Sequence, residues 1–181
     1  MWVPGKWVAI NEQTLGFQGS LEMKLQISNK REEDGFQYNA VCNEGYTYSF
    51  YFRHRPPPNV GGQYKDMELS PTARRVVWLA SRLPNRWTRI YMDNLSNSKK
   101  LYEALYRTEA LAHGIPGTNG RGIPPYIIQK EEQNINCAEQ LRGTTMAAKL
   151  LHYAACPDLL VVSMYDTKPV HILSTVAVCV K

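Results

Sequence analysis

The sequence predicts an α/β fold with a mixed sheet, and three observations carry that reading. The first third is a succession of short β-forming runs joined by turn residues. The middle holds two capped amphipathic stretches. Between them lies a short run, Arg89-Ile90-Tyr91-Met92-Asp93, that ends in a carboxylate. Strands and helices are mixed but partly segregated, as in a sheet with helices on its connections.

Trp7 to Ile10 is the first apolar run. Gly16 and Gly19 break the chain beyond it, and Leu21, Met23, Leu25 and Ile27 then alternate with polar residues as in a half-buried strand. Lys30-Arg31-Glu32-Glu33-Asp34-Gly35 reads as a charged turn ending in Asp-Gly, and Phe36 to Cys42 as the next strand. Asn43-Glu44-Gly45 joins it to Tyr46 to Phe52, a run of β-formers. Two β runs joined through a short Gly-containing connection read as a hairpin, and the whole as an antiparallel meander.

Pro56-Pro57-Pro58 and Gly61-Gly62 mark an irregular loop. Ser70-Pro71 opens a helix with a hydroxyl at the cap and proline at the first helical position. Val76, Val77, Leu79, Ala80 and Leu83 give it an apolar face, and Pro84-Asn85 stop it. After the run ending in Asp93, Asn94 to Ser98 supply capping residues. A helix is expected from Lys99 to Ala112, with Leu101, Ala104, Leu105 and Leu111 on one side. Gly114 to Pro125 is a Gly/Pro loop, Glu131 to Asn136 is polar, and Thr145 to Ala155 reads equally as helix or strand. Leu159 to Met164 and Val170 to Thr175, separated by Tyr165-Asp166-Thr167-Lys168-Pro169, form a second hairpin.

The chain has 181 residues, the size of one ordinary domain, and 21 Lys plus Arg against 16 Asp plus Glu leave a charge of +5. With 44% hydrophobic and 20% charged residues, wholesale disorder is excluded. The longest nearly apolar run, Ile172 to Val180, falls short of the about 20 residues a spanning helix needs. The start, MWVPGKWVAI, lacks the apolar core of a secretory signal. Cys42, Cys137, Cys156 and Cys179 make no CxxC pair, so they read as thiols of a reducing compartment rather than a local zinc module. Basic residues (Arg53, Arg55, Arg74, Arg75, Arg82, Arg86, Arg89, Lys99, Lys100) are interleaved with Tyr51, Phe52, Trp78, Trp87 and Tyr91. That mixture can track phosphates and stack on bases, although such residues are commonly just solvated.

Two carboxylates stand out. Asp93, at a strand end before a run of caps, stands where mixed α/β sheets place metal-binding side chains, and hard cations take such oxygen ligands. The same position suits an N-cap or Asx-turn residue. Glu12, flanked by Asn11 and Gln13, reads as a solvated strand-end residue.

At these residues a family resemblance emerges. Asn11-Glu12-Gln13-Thr14-Leu15-Gly16-Phe17-Gln18-Gly19 resembles the "DEQ…GF(R/Q)GR" segment of PiggyBac-type transposases. Ile27-Ser28-Asn29-Lys30 resembles the family's "I-P-N-K-P", and Met92-Asp93-Asn94-Leu95-Ser96-Asn97-Ser98 its "(C/V)DN-aromatic-aromatic-TS". Residues 114–124 resemble "GT-x-R-x-N-R-x-x-(I/L)-P", keeping Gly114, Asn119, Arg121, Ile123 and Pro124. Tyr165 to Thr175 resembles the late "DxKxVxxLST" hairpin. Each landmark alone is weak, but the set in order covers nearly the whole chain.

The resemblance implies an RNase H-like mixed sheet with flanking helices, incomplete at its C-terminal end. It implies a single partial catalytic domain over 1–181, with the late hairpin at about 159–175. In the family three Asp residues hold two divalent cations, Mg²⁺, that run DNA cleavage and strand transfer. Asp93 matches the second position. The first is Asn11, a degenerate position, and the third would lie beyond Thr175, so one carboxylate of three is left and the metal is expected not to bind. Leu95-Ser96 replaces the aromatic pair, and Gly117 stands where an Arg is common. Arg121, Asn119 and Lys30 are the implied DNA-binding residues. The implied setting is nuclear, with DNA as a weak or ancestral partner, a possible homo-oligomer and no membrane.

The expected function is therefore a catalytically inactive remnant of a cut-and-paste transposase core. A co-opted interaction domain, or a metal-dependent enzyme completed by a partner chain, are the alternatives. A sheet that lacks its late helices should leave one face uncovered and prone to associate.

Overall fold

The computed structural model describes residues 3–22, 24–26, 34–64, 66–93, 97–116, 143, 145–149, 156, 158–165 and 169–175. In chain order the strands are β1 (Trp7–Gly16), β2 (Leu25–Gln26), β3 (Asp34–Asn43) and β4 (Tyr46–Phe52), then β5 (Thr88–Met92), β6 (Ala110–Gly114), β7 (Thr145–Lys149), β8 (Leu160–Tyr165) and β9 (Pro169–Ser174). Helix α1 (Pro71–Ala80) precedes β5, and α2 (Lys99–Arg107) connects β5 to β6. The strands form one mixed sheet in the order β2-β3-β1-β5-β6-β9-β8-β7, with β4 also beside β3.

β1 runs antiparallel to β3 and parallel to β5, and β6 runs parallel to β5. An antiparallel meander extended by two parallel strands, with helices on the crossovers, is the RNase H-like arrangement. The predicted α/β mixed sheet is thus observed.

The alternation in β1 decides which face is inside. Val8 and Ile10 are buried while Trp7, Ala9 and Asn11 are exposed. Across β5 the pattern repeats, with Ile90 and Met92 buried opposite Val8 and Ile10. Val76, Val77 and Leu79 of α1 and Leu101, Ala104 and Leu105 of α2 pack onto this side, each fully buried. The larger of these aliphatic side chains each contribute roughly 1.5–3 kcal/mol on burial. Ser70 caps α1 by accepting from the Ala73 amide at 3.2 Å, with Pro71 at the first helical position as the sequence predicts. Ser98 does the same for α2, accepting from Leu101 N–H at 3.3 Å.

Three expectations are corrected. The helix expected to reach Ala112 ends at Arg107; Glu109 takes a left-handed φ of 56° and turns the chain into β6. Ala110 to Gly114 then alternates buried and half-buried against β5, so parallel pairing overrides the helix propensity of Ala and Leu. The strand expected through Leu21 and Leu25 shrinks to Leu25–Gln26. The amide of Lys24 bonds back to the Leu21 carbonyl at 3.0 Å, making a turn, and Leu21 is 48% exposed; Met23 and Ile27 lie outside the described residues. Asp34 and Gly35 belong to β3 rather than to a turn. A Cβ on Gly35 would meet the Leu15 carbonyl oxygen at 2.2 Å, so only glycine lets β1 and β3 close there. For Thr145 to Ala155 the described part is strand, β7.

Both helices lie on one face of the sheet. Among the described residues nothing covers the other face around Trp7, Leu15 and Phe50, which are 56%, 55% and 50% exposed. Rings of Phe36, Tyr38, Phe50 and Phe52 meet there at centroid distances of 5.3–6.4 Å. With Leu15 and Thr47, the last three line a depression of about 240 Å³. No helix among the described residues is long and apolar enough to cross a membrane.

Candidate functional site

Asn11 and Asp93 stand at corresponding places on adjacent parallel strands, each one residue beyond the last register pair, Ile10 with Met92. The family pattern sets them as partners, and the fold brings them to the same edge. Both are exposed. Val8 and Ile10 point into the helix-covered core, so Asn11 faces the open side.

Asn11 is held by its own chain. Its Oδ1 accepts the Glu12 amide at 2.7 Å. Glu12 lies on the opposite face, as strand alternation requires. Its carboxylate, 10% exposed, pairs with Arg53 at 3.1 Å. Arg53 also donates to Gln37 Oε1 at 2.7 Å. Beneath it the buried Arg75 guanidinium donates to the carbonyls of Arg53 at 3.0 Å and Arg55 at 3.4 Å, pinning the turn after β4. Burial first, and then the neighbouring Arg53 charge, hold Arg75 below the usual guanidinium range. Glu12 therefore serves an ion pair and offers no replacement for an acid at position 11.

Asp93 is fixed through its backbone by Asn97, which in the sequence is only one of a cluster of capping residues. Asn97 Nδ2 donates to the Asp93 carbonyl at 2.8 Å and to the Ile115 carbonyl at 2.6 Å, clamping the ends of β5 and β6 together. Its Oδ1 accepts from the Tyr102 hydroxyl at 3.0 Å, and that hydroxyl also reaches the Leu173 carbonyl at 2.9 Å. Burial pushes the Tyr102 phenol far up, so it stays a donor. Gly114 makes room for the clamp: a Cβ there would meet the Met92 carbonyl oxygen at 2.6 Å and Asn97 Nδ2 at 2.7 Å. Nothing local in the sequence marks this clamp, because Asn97 and Gly114 meet only where the ends of β5 and β6 come side by side.

Beside Asp93 on the open face runs a band of rings. Trp7 stacks on Tyr91 at 6.1 Å, the Arg89 guanidinium sits 4.6 Å over Trp7, and Tyr91 meets His113 at 5.3 Å. His113 Nδ1 lies 3.1 Å from Ser174 Oγ, and burial lowers its pKa. Other basic residues are likewise engaged. Arg82 lies 4.9 Å over Trp78, Arg86 pairs with Glu109 at 2.9 Å, and Lys100 pairs with Glu68 at 3.3 Å. Arg121, Asn119 and Lys30 lie outside the described residues. A depression of about 490 Å³ opens at the opposite end of the sheet, lined by Arg86, Thr88 and Glu109 among others, far along the strands from Asp93.

A two-cation site of the kind the resemblance implies needs several carboxylates converging on one point. Around Asp93 the described chain offers a neutral amide whose oxygen is already bonded, and among the described residues no three His, Cys, Asp or Glu side chains gather. Asn11 and Asp93, the described residues that the family pattern sets at this edge, do not by themselves fit that group. Of the cysteines described, Cys42 takes a hydrogen bond from Gln13 Nε2 at 3.2 Å and Cys156 is fully buried.

Comparison with known proteins agrees with this architecture. A family model described as Transposase IS4 matches residues 1–178. A solved cryo-EM structure, a piggyBac transposase synaptic complex with hairpin DNA, is similar in fold with a TM-score of 0.74 at 22% identity. The match covers 99% of this chain and 35% of that one, so the chain spans about a third of the transposase it resembles.

Proposed function

The chain belongs to the PiggyBac-type transposase family, and from that premise we propose that it is a transposase-derived domain that has kept the fold and lost the chemistry. The observation that carries the reading is Asn11. It occupies the position of the family's first metal-binding Asp, on the strand beside Asp93, with its amide oxygen turned to the Glu12 N–H. An amide is neutral and has one carbonyl oxygen. It supplies neither the charge nor the bridging geometry that the family's two divalent cations require.

DNA contact is the part of the ancestral role that survives loss of the carboxylates. The net charge of +5 supports it, as does exposed Trp7 with half-buried Tyr91 and Arg89 on the face beside Asp93. A nuclear setting goes with that role. The co-opted interaction domain is the second reading, favoured by the half-exposed apolar residues of the open sheet face.

Incubation with Mg²⁺ or Mn²⁺ and a hairpin or nicked DNA substrate tests the proposal. The expected result is no cleavage, with Asn11→Asp alone restoring none. Cleavage that disappears in Asp93→Ala would overturn it. In the same preparation, DNA affinity should fall steeply as salt rises; affinity indifferent to salt would remove the phosphate-tracking role.

A further inference from the structure

Among the described residues five buried side-chain nitrogen or oxygen atoms have no hydrogen-bond partner. Four of them come from one neighbourhood: Thr14 Oγ1, Asn39 Oδ1, Arg74 Nε and Arg75 Nε. Buried polar groups are ordinarily satisfied, so a cluster of orphans asks for something to satisfy it. The ladder gathers the strand members. Thr14 stands opposite Gln37 and Glu12 opposite Asn39, which in turn faces Tyr51 of β4. Alternation puts Glu12 and Thr14 on the side that α1 covers, where Tyr51 packs on Trp78 at 5.0 Å. From that side α1 adds Arg74 and Arg75. The turn after β4 adds Arg53, held between Glu12 at 3.1 Å and Gln37 at 2.7 Å.

The charge balance names the ligand. Among the described residues three guanidinium groups here share one carboxylate, and Glu12 already pairs with Arg53. Arg75, only 7% exposed, donates to two peptide carbonyls, which are neutral acceptors. Besides burial, the like charges of Arg53 and Arg74 weigh on it. A buried cation in such company lacks an anion. The orphan atoms suit an oxyanion. Two guanidinium N–H groups and the Thr14 hydroxyl donate, and the Asn39 amide, 1% exposed, presents its NH2 once turned about its last bond. Thr14, Arg53 and Arg74 are part-exposed and leave a way in. We propose that Thr14, Asn39, Arg74 and Arg75 bind one phosphate group, as the free ion or as a phosphomonoester. Forked, charge-assisted donors of this kind match phosphate oxygens. Depth separates the site from contact with a nucleic-acid backbone, because a duplex cannot carry its phosphodiesters to groups so nearly covered. The site does not depend on whether the chain binds or cleaves DNA.

Calorimetric titration of the full 181-residue chain with sodium phosphate, at an ionic strength held constant with chloride, reads the result directly. One saturable site with a Kd of about 1 mM or tighter is expected. Thr14→Val and Arg74→Gln should each weaken it about 10-fold. Thr14→Val replaces an orphan hydroxyl by a methyl, so the phosphate-free variant should unfold at the parent's urea midpoint or above it. That variant decides the matter even if Arg74→Gln fails to fold. O-phosphoserine that competes with phosphate assigns the site to a monoester, and phosphoserine that does not compete assigns it to the free ion. No saturable binding up to about 10 mM, which would leave water to bridge the orphans, overturns the proposal. So does binding of equal strength in Thr14→Val and the parent, which would mark an adventitious ion only. Displacement of the phosphate by a DNA duplex also overturns it.

Discussion

Replacing Asn97 by alanine should loosen the end of the sheet where Asp93 sits. The amide makes three bonds, to the Asp93 carbonyl at 2.8 Å, the Ile115 carbonyl at 2.6 Å and the Tyr102 hydroxyl at 3.0 Å. Each is worth about 1 kcal/mol net. The whole sum is not lost, because the Tyr102 hydroxyl keeps the Leu173 carbonyl at 2.9 Å and the two strand-end carbonyls lie where water can reach them. The expected loss is about 2 kcal/mol. Urea unfolding followed by tryptophan fluorescence should show a midpoint lower by about 1 M at unchanged slope, taking a slope of about 2 kcal/mol/M. Asn97→Asp sharpens the test. At neutral pH it sets a carboxylate against two carbonyls and should do at least as much damage. On acidification the protonated acid can donate again, and part of the loss should return. A midpoint shift worth less than about 0.5 kcal/mol in Asn97→Ala would refute the clamp. Gly114→Ala should act on the same contact, so the double variant should fall short of the sum of the two.

Two further outcomes concern buried titratable groups. His113 is held below its ordinary value by burial, so the unfolded chain binds its proton more readily than the folded one. Its contribution to stability is full above about pH 6.5 and is lost as pH falls from there through the folded value. Denaturation between about pH 5 and 7 should show that slope, and His113→Gln should flatten it; an unchanged slope would assign the dependence elsewhere. The Cys156 thiol is fully buried and pushed up to about 12 by burial first and the Asp158 charge second. An alkylating reagent at neutral pH should therefore modify Cys42 well before Cys156, read peptide by peptide in a mass spectrometer. Equal rates under native conditions would place Cys156 at the surface.

The parts of the fold that can be read from residues are those whose signals are local. Ser70-Pro71 and Ser98 announce helix starts because a capping hydroxyl satisfies orphan amides within one turn. Asn43-Glu44-Gly45 announces the β3–β4 connection because Glu44 and Gly45 must take left-handed backbone there, with φ of 50° and 83°. β6 is hidden, since Ala110-Leu111-Ala112 favours helix in isolation and becomes a strand only because β5 lies alongside. Gly35 is hidden for a similar reason: its need arises from Leu15, twenty residues away in sequence and opposite in the ladder. At the site, the pairing of Asn11 with Asp93 is readable through the family pattern. The clamp of Asn97, Tyr102 and Gly114 is not, because its three members come together only when α2 packs beneath the ends of β5 and β6.

The narrow join between β6 and β9 sets an order of assembly. Only His113 with Ser174 and Gly114 with Leu173 stand in register there, helped by the Thr175 amide to the Ala112 carbonyl at 2.9 Å and Thr175 Oγ1 taking the Ala112 amide at 2.8 Å. The β8–β9 hairpin closes over a few residues, and the β3–β4 hairpin does so on the other side. The seam links residues about sixty positions apart, a long closure, though Val8 of β1 meets Ile90 of β5 across a longer one. The hairpins need local pairing alone, whereas β1–β5 and β6–β9 both need long closures, and of those two the β6–β9 line is the narrower, with two register pairs against four. That line is where the sheet parts first when it opens, and the Tyr102 hydroxyl on Leu173 is the rivet that crosses it.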